Sequence, residues 1–138
     1  MSKHFSLTDD YLNELESNLL LLNDCQLECD GMTYAISYVL NEAGIAHERM
    51  IGYAQRTANG QVVHPHCWIA LDADTVIDFR LRMWLGDDDQ IPHGIFRPSE
   101  QNIHYVGQLQ DRPLPTKSVI DLLTGFRLDK VAVSCNLG

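Results

Sequence analysis

A cysteine, a histidine and an aspartate that together make a thiol nucleophile follow one another along this chain of 138 residues. Cys29 directly precedes residues 30–43, whose apolar residues recur at helical spacing. The positive end of a helix favours a thiolate over a thiol, and the thiolate is the nucleophilic form. We therefore predict that Cys29 attacks a carbonyl carbon, with a base that arrives from elsewhere in the fold.

The base and its partner come from two predicted strands that flank a turn at residues 72–74. Antiparallel pairing about the middle of that turn puts Trp68 opposite Asp78, with His66 two residues further along its strand. Side chains on one face of neighbouring strands meet across such a diagonal. A carboxylate there holds the imidazole tautomer and stabilises the imidazolium. We therefore expect His66 to be the base and Asp78 to orient it.

Two helices followed by sequential strands must position these residues. The predicted elements, in chain order, are helices 8–22 and 30–43, strands 47–56, 67–71, 75–81 and 103–109, a short helix 116–123 and a closing strand 130–134. Asn59-Gly60 is a hairpin signal, and residues 82–102 are expected to form an irregular loop. This order predicts one α+β domain over residues 1–138, with N-terminal helices packed on an antiparallel sheet.

Three segments of the chain carry a family pattern. The stretch CDGMTYAISYVLNEAGIAHERMIGY opens with Cys29 and contains a Gly-Ile pair at 44–45, and the segments HCW at 66–68 and VID at 76–78 follow. In order and spacing these segments resemble the transglutaminase-like superfamily of papain-related cysteine enzymes. In that family a cysteine opens a helix that ends in Gly-Ile, a His-x-Trp motif follows, and an aspartate lies on the next strand. The chain departs from the pattern at Ala46 and after Asp78, where members often carry proline.

The resemblance implies a papain-like or transglutaminase-like fold and a catalytic triad of Cys29, His66 and Asp78. It also implies an acyl-enzyme, formed from a peptide, a protein or a small amide, that is released to water or to an amine. Hydrolysis, deamidation and transamidation share these parts and stay open. The Cys29 N–H is the natural first oxyanion donor, and Gln26 is a weaker candidate for the second. Neither a cofactor nor a metal is called for.

Substrate contacts are predicted at three positions around the triad. His64 shares a strand face with His66 if the segment is extended, and we expect it at the rim of the site. Trp68 is expected to pack beside the site. Arg80, near Asp78, is interpreted as a substrate clamp, with a solvated strand-face arginine as the alternative.

The remaining cysteines suggest other readings. Cys25 is a rival nucleophile without the helix-start position, and alternation along its strand turns Cys67 away from His66, which predicts a core residue. Cys25 and Cys29, with His64, His66 and Cys67, also offer zinc-type ligands. A structural zinc site and a catalytically silent binding module are therefore the alternatives. Cys135 has no such context.

Charge narrows the classes of partner. Nineteen acidic residues against ten basic ones give a formal net charge of −9, and the basic residues form no run. That field disfavours nucleic acid and an anionic membrane surface. The N-terminal residues are polar, and the longest apolar run, at 19–22, is far too short to span a bilayer. We expect a cytoplasmic protein whose cysteines are thiols rather than disulfides.

Overall fold

The structure, a computed structural model, describes residues 8–131, and its α-helices and β-strands form a mixed, antiparallel α+β fold. The α-helices in this range are α1 (Asp9–Leu19), α2 (Cys29–Glu42), α3 (Arg82–Leu85) and α4 (Lys117–Leu123). The strands are β1 (Glu48–Arg56), β2 (Val62–Asp72), β3 (Thr75–Asp78), β4 (Gly94–Phe96) and β5 (Ile103–Leu109). Single 3₁₀ turns occur at Leu20–Leu22, Pro98–Glu100 and Leu128–Lys130.

Both predicted N-terminal helices are present, but α1 ends at Leu19, where a 3₁₀ turn replaces the last predicted turn, and α2 ends at Glu42, one residue before its predicted end. The hydroxyl of Thr8 caps α1 by accepting a hydrogen bond from the N–H of Tyr11 at 3.1 Å. The predicted apolar stripe of α2 is buried, and the chain leaves this helix through Gly44, whose φ of 72° suits glycine. Cys29 is the first residue of α2 rather than the residue before it.

The strands form one five-stranded sheet in the order β4-β3-β2-β1-β5, with every neighbouring pair antiparallel. β1 and β2 are joined at Asn59-Gly60, as predicted, with Gly60 at a φ of 73°. β2 and β3 are joined across residues 72–74, and their register pairs Ile69 with Ile77. One step further, this register sets Trp68 against Asp78, which is the predicted alignment.

Several boundaries differ from prediction. β2 begins at Val62 rather than at residue 67, and β3 ends at Asp78 rather than at residue 81. The predicted loop 82–102 holds α3 and also β4, a sheet strand that the sequence pattern missed because it is only three residues long. The predicted closing strand is wrong at Lys130, which lies in a 3₁₀ turn, and residues 132–134 fall outside the described part.

The sheet is covered on both faces. On one face, α1 and α2 pack their buried leucines and isoleucines against Ile69 and Ile77. On the other, Leu81 and Ile91 pack on Ala54, Val63 and Ile103. The segment after β3 is therefore a second covering layer rather than a solvent loop. Within residues 8–131, none of the helices is both long and apolar enough to cross a membrane.

Candidate active site

Cys29 lies at the mouth of a cavity of about 530 Å³. It is the first residue of the 14-residue helix α2 and is half-buried. The N–H groups of a first helical turn have no partner within the helix, and they impose a positive potential on an anion placed there. The helix thus presents the Cys29 sulfur to the cavity in the environment that favours its thiolate.

His66 and Asp78 form a buried pair. The Nε2 atom of His66 lies 2.6 Å from Oδ2 of Asp78, and the two residues are 0% and 3% exposed. The same oxygen accepts a hydrogen bond from the hydroxyl of Tyr105 at 2.8 Å, while Oδ1 accepts one from the N–H of Arg80 at 2.9 Å. Three donors, one each from β2, β5 and the chain after β3, therefore fix the plane of this carboxylate and the tautomer of His66.

The second ring nitrogen of His66, Nδ1, is left for the thiol of Cys29. It is buried, and it makes no well-aligned hydrogen bond within residues 8–131. Burial alone would lower the pKa of His66, but the charge and hydrogen bond of Asp78, followed by those of Cys29, raise this pKa to about 10. The imidazole is therefore an imidazolium at neutral pH, with its free donor turned toward the sulfur.

The pKa of Cys29 moves in the opposite direction. A hydrogen bond from the Cys67 thiol lowers it, burial opposes this, and the hydrogen bond and charge of His66 lower it again, to about 5. Cys29 and His66 are thus a thiolate and an imidazolium across the neutral range. This is the charge state that a cysteine nucleophile needs before a substrate arrives.

Cys67 is buried on the predicted face, but its place beside Cys29 was not predicted. Alternation along β2 does turn it to the face that carries Ile69, but α2 begins on that face. Cys67 therefore lines the same cavity as Cys29, and its Sγ accepts a hydrogen bond from Nε2 of Gln110 at 3.7 Å. The hydrogen bond to Cys29 is the largest cause that raises the pKa of Cys67, followed by burial. The proton shared by the two sulfurs stays on Cys67.

His64 and Trp68 occupy different surroundings. His64 is exposed and lines the cavity, as its predicted place at the rim requires, and its contact with a substrate stays a prediction. Trp68 is buried and does not line the cavity of Cys29; its ring stacks on His66 at 6.2 Å and lies tilted against Tyr105 at 4.7 Å between centroids. It packs beside the site, as predicted, and its contact with a substrate stays a prediction.

Arg80 corrects the prediction of a substrate clamp. It is buried, and all five of its guanidinium N–H groups donate to other parts of the chain. The acceptors are Leu27 O (2.6 Å), Cys25 O (2.9 Å), Phe79 O (2.9 Å), and Asn23 O (2.9 Å) and Oδ1 (3.0 Å). Arg80 therefore fastens the segment that leads into Cys29 and has no donor to spare for a substrate.

The rival groups lie elsewhere. Cys25 is buried in the helix-side core, where its thiol donates to Thr124 O at 3.5 Å. Gln26 is exposed and lines a different cavity, beside Arg80 and Met83, which removes it as an oxyanion donor. Cys135 lies outside the described residues. Between residues 8 and 131, no group of three or more His, Cys, Asp or Glu side chains could hold a metal ion.

Four residues that sequence reasoning did not single out belong to the site. Tyr105 binds Asp78, and Gln110, Arg112 and the half-exposed Trp84 line the cavity. All four come from the part of the chain after β3, where no motif marks them. Only long-range strand pairing, of β5 with β1, brings Tyr105 and Gln110 to the triad.

Comparisons with known proteins place no relative beside this chain: no family model matches it, and neither does any curated protein or solved structure.

Proposed function

We propose that the protein is a cysteine-dependent acyl-transfer enzyme with a transglutaminase-like or papain-like fold. The observation that carries the proposal is a completely buried His66, which binds Asp78 through Nε2 at 2.6 Å while its buried Nδ1 has no hydrogen-bond partner within residues 8–131. Burial disfavours a charged imidazole, but the carboxylate of Asp78 and the thiolate of Cys29 stabilise the imidazolium and raise its pKa. This relay prepares a nucleophile and a proton donor in one cavity.

In the proposed reaction, the Cys29 thiolate attacks the carbonyl carbon of an amide or ester. The tetrahedral oxyanion collapses, and the leaving group departs with the proton of His66. The product is a thioester on Cys29 and a neutral imidazole, which then takes a proton from the incoming water or amine. Attack by that acceptor releases the acyl group and restores the thiolate and the imidazolium.

Two donors suit the oxyanion. The N–H of Cys29 belongs to the first turn of α2 and is unused by the helix. The side-chain amide of Gln110 lines the same cavity, and its orientation is set because Nη1 of Arg49 donates to its Oε1 at 3.2 Å. The NH₂ group then points to Cys67, to whose Sγ it donates at 3.7 Å, on the cavity that Cys29 also lines. Gln110 therefore takes the place that sequence reasoning offered to Gln26.

The cavity wall favours a substrate with an apolar part next to the reacting carbonyl. Trp84 and Val62 line the cavity and are 56% and 51% exposed, so a ligand can cover both. His64 and Pro65 continue the wall. We propose a peptide, a protein or a small amide as substrate, with no cofactor, in a reducing compartment such as a cytosol, where Cys29 stays a thiol.

An activated ester tests the proposal without knowledge of the natural substrate. Incubation with p-nitrophenyl acetate should release nitrophenol in a burst and add one acetyl group to the protein, as read by intact-mass spectrometry. Peptide mapping should place that group on Cys29, and hydroxylamine should remove it, as expected for a thioester. Turnover with and without a primary amine then separates transamidation from hydrolysis.

The variants provide the controls. Cys29→Ala should abolish the burst, His66→Ala should slow it strongly, and Cys25→Ala should leave it unchanged because Cys25 lies in the core. Acetylation spread over several cysteines, or a burst that survives Cys29→Ala, would contradict the proposal. That outcome would favour the alternative of a catalytically silent binding module.

A further inference from the structure

Two cysteine sulfurs face one cavity. Cys29 and Cys67 come from different elements, α2 and β2, yet both line the same cavity. Acyl transfer as described above needs only one of them. Cys67 is 5% exposed and belongs to neither apolar cluster, so packing gives no account of a thiol at this position.

We propose that Cys67 is a resolving thiol, and that a hydroperoxide converts Cys29 and Cys67 into a reversible disulfide. The pair would be a site of oxidative modification within the active-site cavity. While the disulfide persists, Cys29 has no lone thiolate and acyl transfer stops. A thiol reductant restores both residues.

The chemistry proceeds in two balanced steps. The Cys29 thiolate attacks one oxygen of the hydroperoxide and breaks the O–O bond. Cys29 becomes a sulfenic acid, and the expelled hydroxide or alkoxide takes a proton from solvent and leaves as water or an alcohol. The sulfur of Cys67 then attacks the sulfur of that sulfenic acid and forms the S–S bond. Its proton and the expelled hydroxide leave as water. Two thiols are oxidised by two electrons, and the hydroperoxide is reduced by two.

The electrostatics of the pair set this order of events. Before oxidation, the Cys29 thiolate is the main cause that keeps the pKa of Cys67 high, through its hydrogen bond and its charge. Cys67 is then a protonated, poor nucleophile, and only Cys29 meets the oxidant. Once Cys29 is a neutral sulfenic acid, that cause is gone, and Cys67 can release its proton and attack.

The other described cysteine is not a competitor. Cys25 packs in the helix-side core against Thr124, and it does not line the cavity of Cys29. Gln110, by contrast, holds Cys67 in place through the bond to Sγ at 3.7 Å. Within residues 8–131, Cys67 is thus the one other cysteine that lines the cavity of Cys29.

The test is a thiol inventory of the full chain. Reduced protein is exposed to hydrogen peroxide, the remaining thiols are blocked with iodoacetamide, and tryptic peptides are analysed without reduction. Trypsin cleaves after Arg49 and Arg56, which separate the two cysteines along the chain. We expect a crosslinked pair of peptides that contains Cys29 and Cys67, and dithiothreitol should restore the labelling of both residues.

Two substitutions at residue 67 separate the resolving role from the hydrogen bond. Cys67→Ser keeps a donor for the Cys29 thiolate but cannot form a disulfide, while Cys67→Ala loses both. In each variant peroxide should carry Cys29 to sulfinic acid, and dithiothreitol should no longer restore it. Before oxidation, only Cys67→Ala should lose part of the low-pH labelling of Cys29. Cys25→Ser is the control that should still form the linked pair.

The inference fails if peroxide carries Cys29 of the natural chain to sulfinic acid while Cys67 stays labelled. It fails as well if diamide, which couples neighbouring thiols directly, produces no Cys29–Cys67 linkage, or if Cys29 pairs with another cysteine. The disulfide depends on the two thiols alone. It can therefore form in a protein that shows no acetylation burst, and its failure leaves that burst untouched.

Discussion

At the scale of single residues, one carboxylate oxygen organises the site. Oδ2 of Asp78 accepts from Nε2 of His66 and from the hydroxyl of Tyr105, at 2.6 and 2.8 Å. With Nε2 engaged in this way, the ring cannot flip without loss of its buried hydrogen bond to Asp78. The position of Asp78 therefore fixes which ring nitrogen of His66 stays unbound.

The charge state of Cys29 gives the first prediction. Because its pKa is lowered to about 5, iodoacetamide at pH 6 should label Cys29 well before Cys25 or Cys67, whose thiols remain protonated or buried. His66→Ala removes a positive partner and should shift the labelling profile of Cys29 toward alkaline pH. Mass spectrometry of labelled peptides across a pH series measures the shift.

Two variants calibrate that profile. Asp78→Asn should shift it in the same direction but by less, because the imidazole remains while its charged form is less favoured. His64→Ala should change little, since His64 is exposed on the cavity wall and is not among the causes of the low pKa of Cys29. If the pH profile of Cys29 labelling is the same with and without the His66 substitution, the imidazole does not activate Cys29.

Gln110 gives the second prediction. If its amide stabilises the oxyanion, Gln110→Ala should lower the rate of acetylation by p-nitrophenyl acetate by about 10²–10³-fold, as loss of one such donor does elsewhere. Labelling of Cys29 by iodoacetamide passes through no oxyanion and should be nearly unchanged. Gln108→Ala, two residues earlier at an exposed position of β5, is the matched control. Equal loss in both reactions would mean that Gln110 merely supports the thiolate.

The sequence could predict the relay residues but not their supports. Cys29, His66 and Asp78 are marked by a helix start, by a hairpin register and by the spacing of a family pattern, all of which are local. Tyr105 and Gln110 reach the site only because β5 pairs with β1, and no local sequence signal predicts that pairing. The place of Cys67 beside Cys29 was not predicted, because alternation tells which face a residue takes, and not what lies on that face.

At the scale of elements, hydrogen bonds from Arg80 hold the segment that leads into the start of α2. Arg80 follows β3 and binds carbonyl oxygens of Asn23, Cys25 and Leu27, which form the approach to Cys29. One guanidinium thereby couples the strand that carries Asp78 to the helix that carries Cys29. This link helps to fix the spacing between Cys29 and the His66–Asp78 pair.

Arg80→Lys tests that link and gives the third prediction. Lysine places its donors on a single nitrogen and cannot serve acceptors spread as these are. We expect a loss of about 3 kcal/mol in the free energy of unfolding, since each hydrogen bond to a charged donor contributes roughly 1.5–3 kcal/mol. Urea denaturation measures it, and slower labelling of Cys29 at pH 6 should accompany it.

The neighbouring arginine supplies the comparison. Arg82 is only half-buried and donates through Nε to Ile91 O at 3.0 Å, so Arg82→Lys should cost clearly less. Equal losses for the two substitutions would mean that the network of Arg80 adds nothing beyond an ordinary surface contact.

The elements differ in how far their sequences predict them. α1 and α2 are long enough to show a helical period, and the turn residues predict the two hairpins. β4 is too short for alternation to be visible, and it is completed by a contact from far away. Glu16 of α1 accepts from the N–H of Ile95 at 2.8 Å, and a side chain at Gly94 would overlap the Glu16 carboxylate.

At the scale of the whole molecule, the sheet is enclosed by α1 and α2 on one face and by the chain after β3 on the other. His66 is therefore buried by the assembly of both layers rather than by its own strand. Unfolding exposes His66 and Cys29 together and returns both to ordinary pKa values. The stability of the fold must then depend on pH through these two groups.

The last prediction is the shape of that dependence. Cys29 has a folded pKa of about 5 against an ordinary 9.0, so between these values only the unfolded chain holds its proton, and stability rises with pH. His66 has a folded pKa of about 10 against an ordinary 6.5, so between these values only the folded chain holds the proton, and stability falls as pH rises. From pH 6.5 to 9.0 the two slopes oppose each other.

Relative to a Cys29→Ser/His66→Gln double variant, which titrates at neither position, the natural chain should gain stability from about pH 5 to 6.5. It should stay level to about pH 9 and lose stability towards pH 10. Each single variant should remove one of the two pH dependences, so that stability is no longer level between pH 6.5 and 9. Cys29→Ser leaves the decline due to His66. His66→Gln leaves a shallower rise due to Cys29, because the pKa of Cys29 rises without its partner. Urea unfolding at closely spaced pH values measures the differences. A difference that changes steadily in one direction from pH 5 to 10 would show that the thiolate and the imidazolium do not form together in the fold.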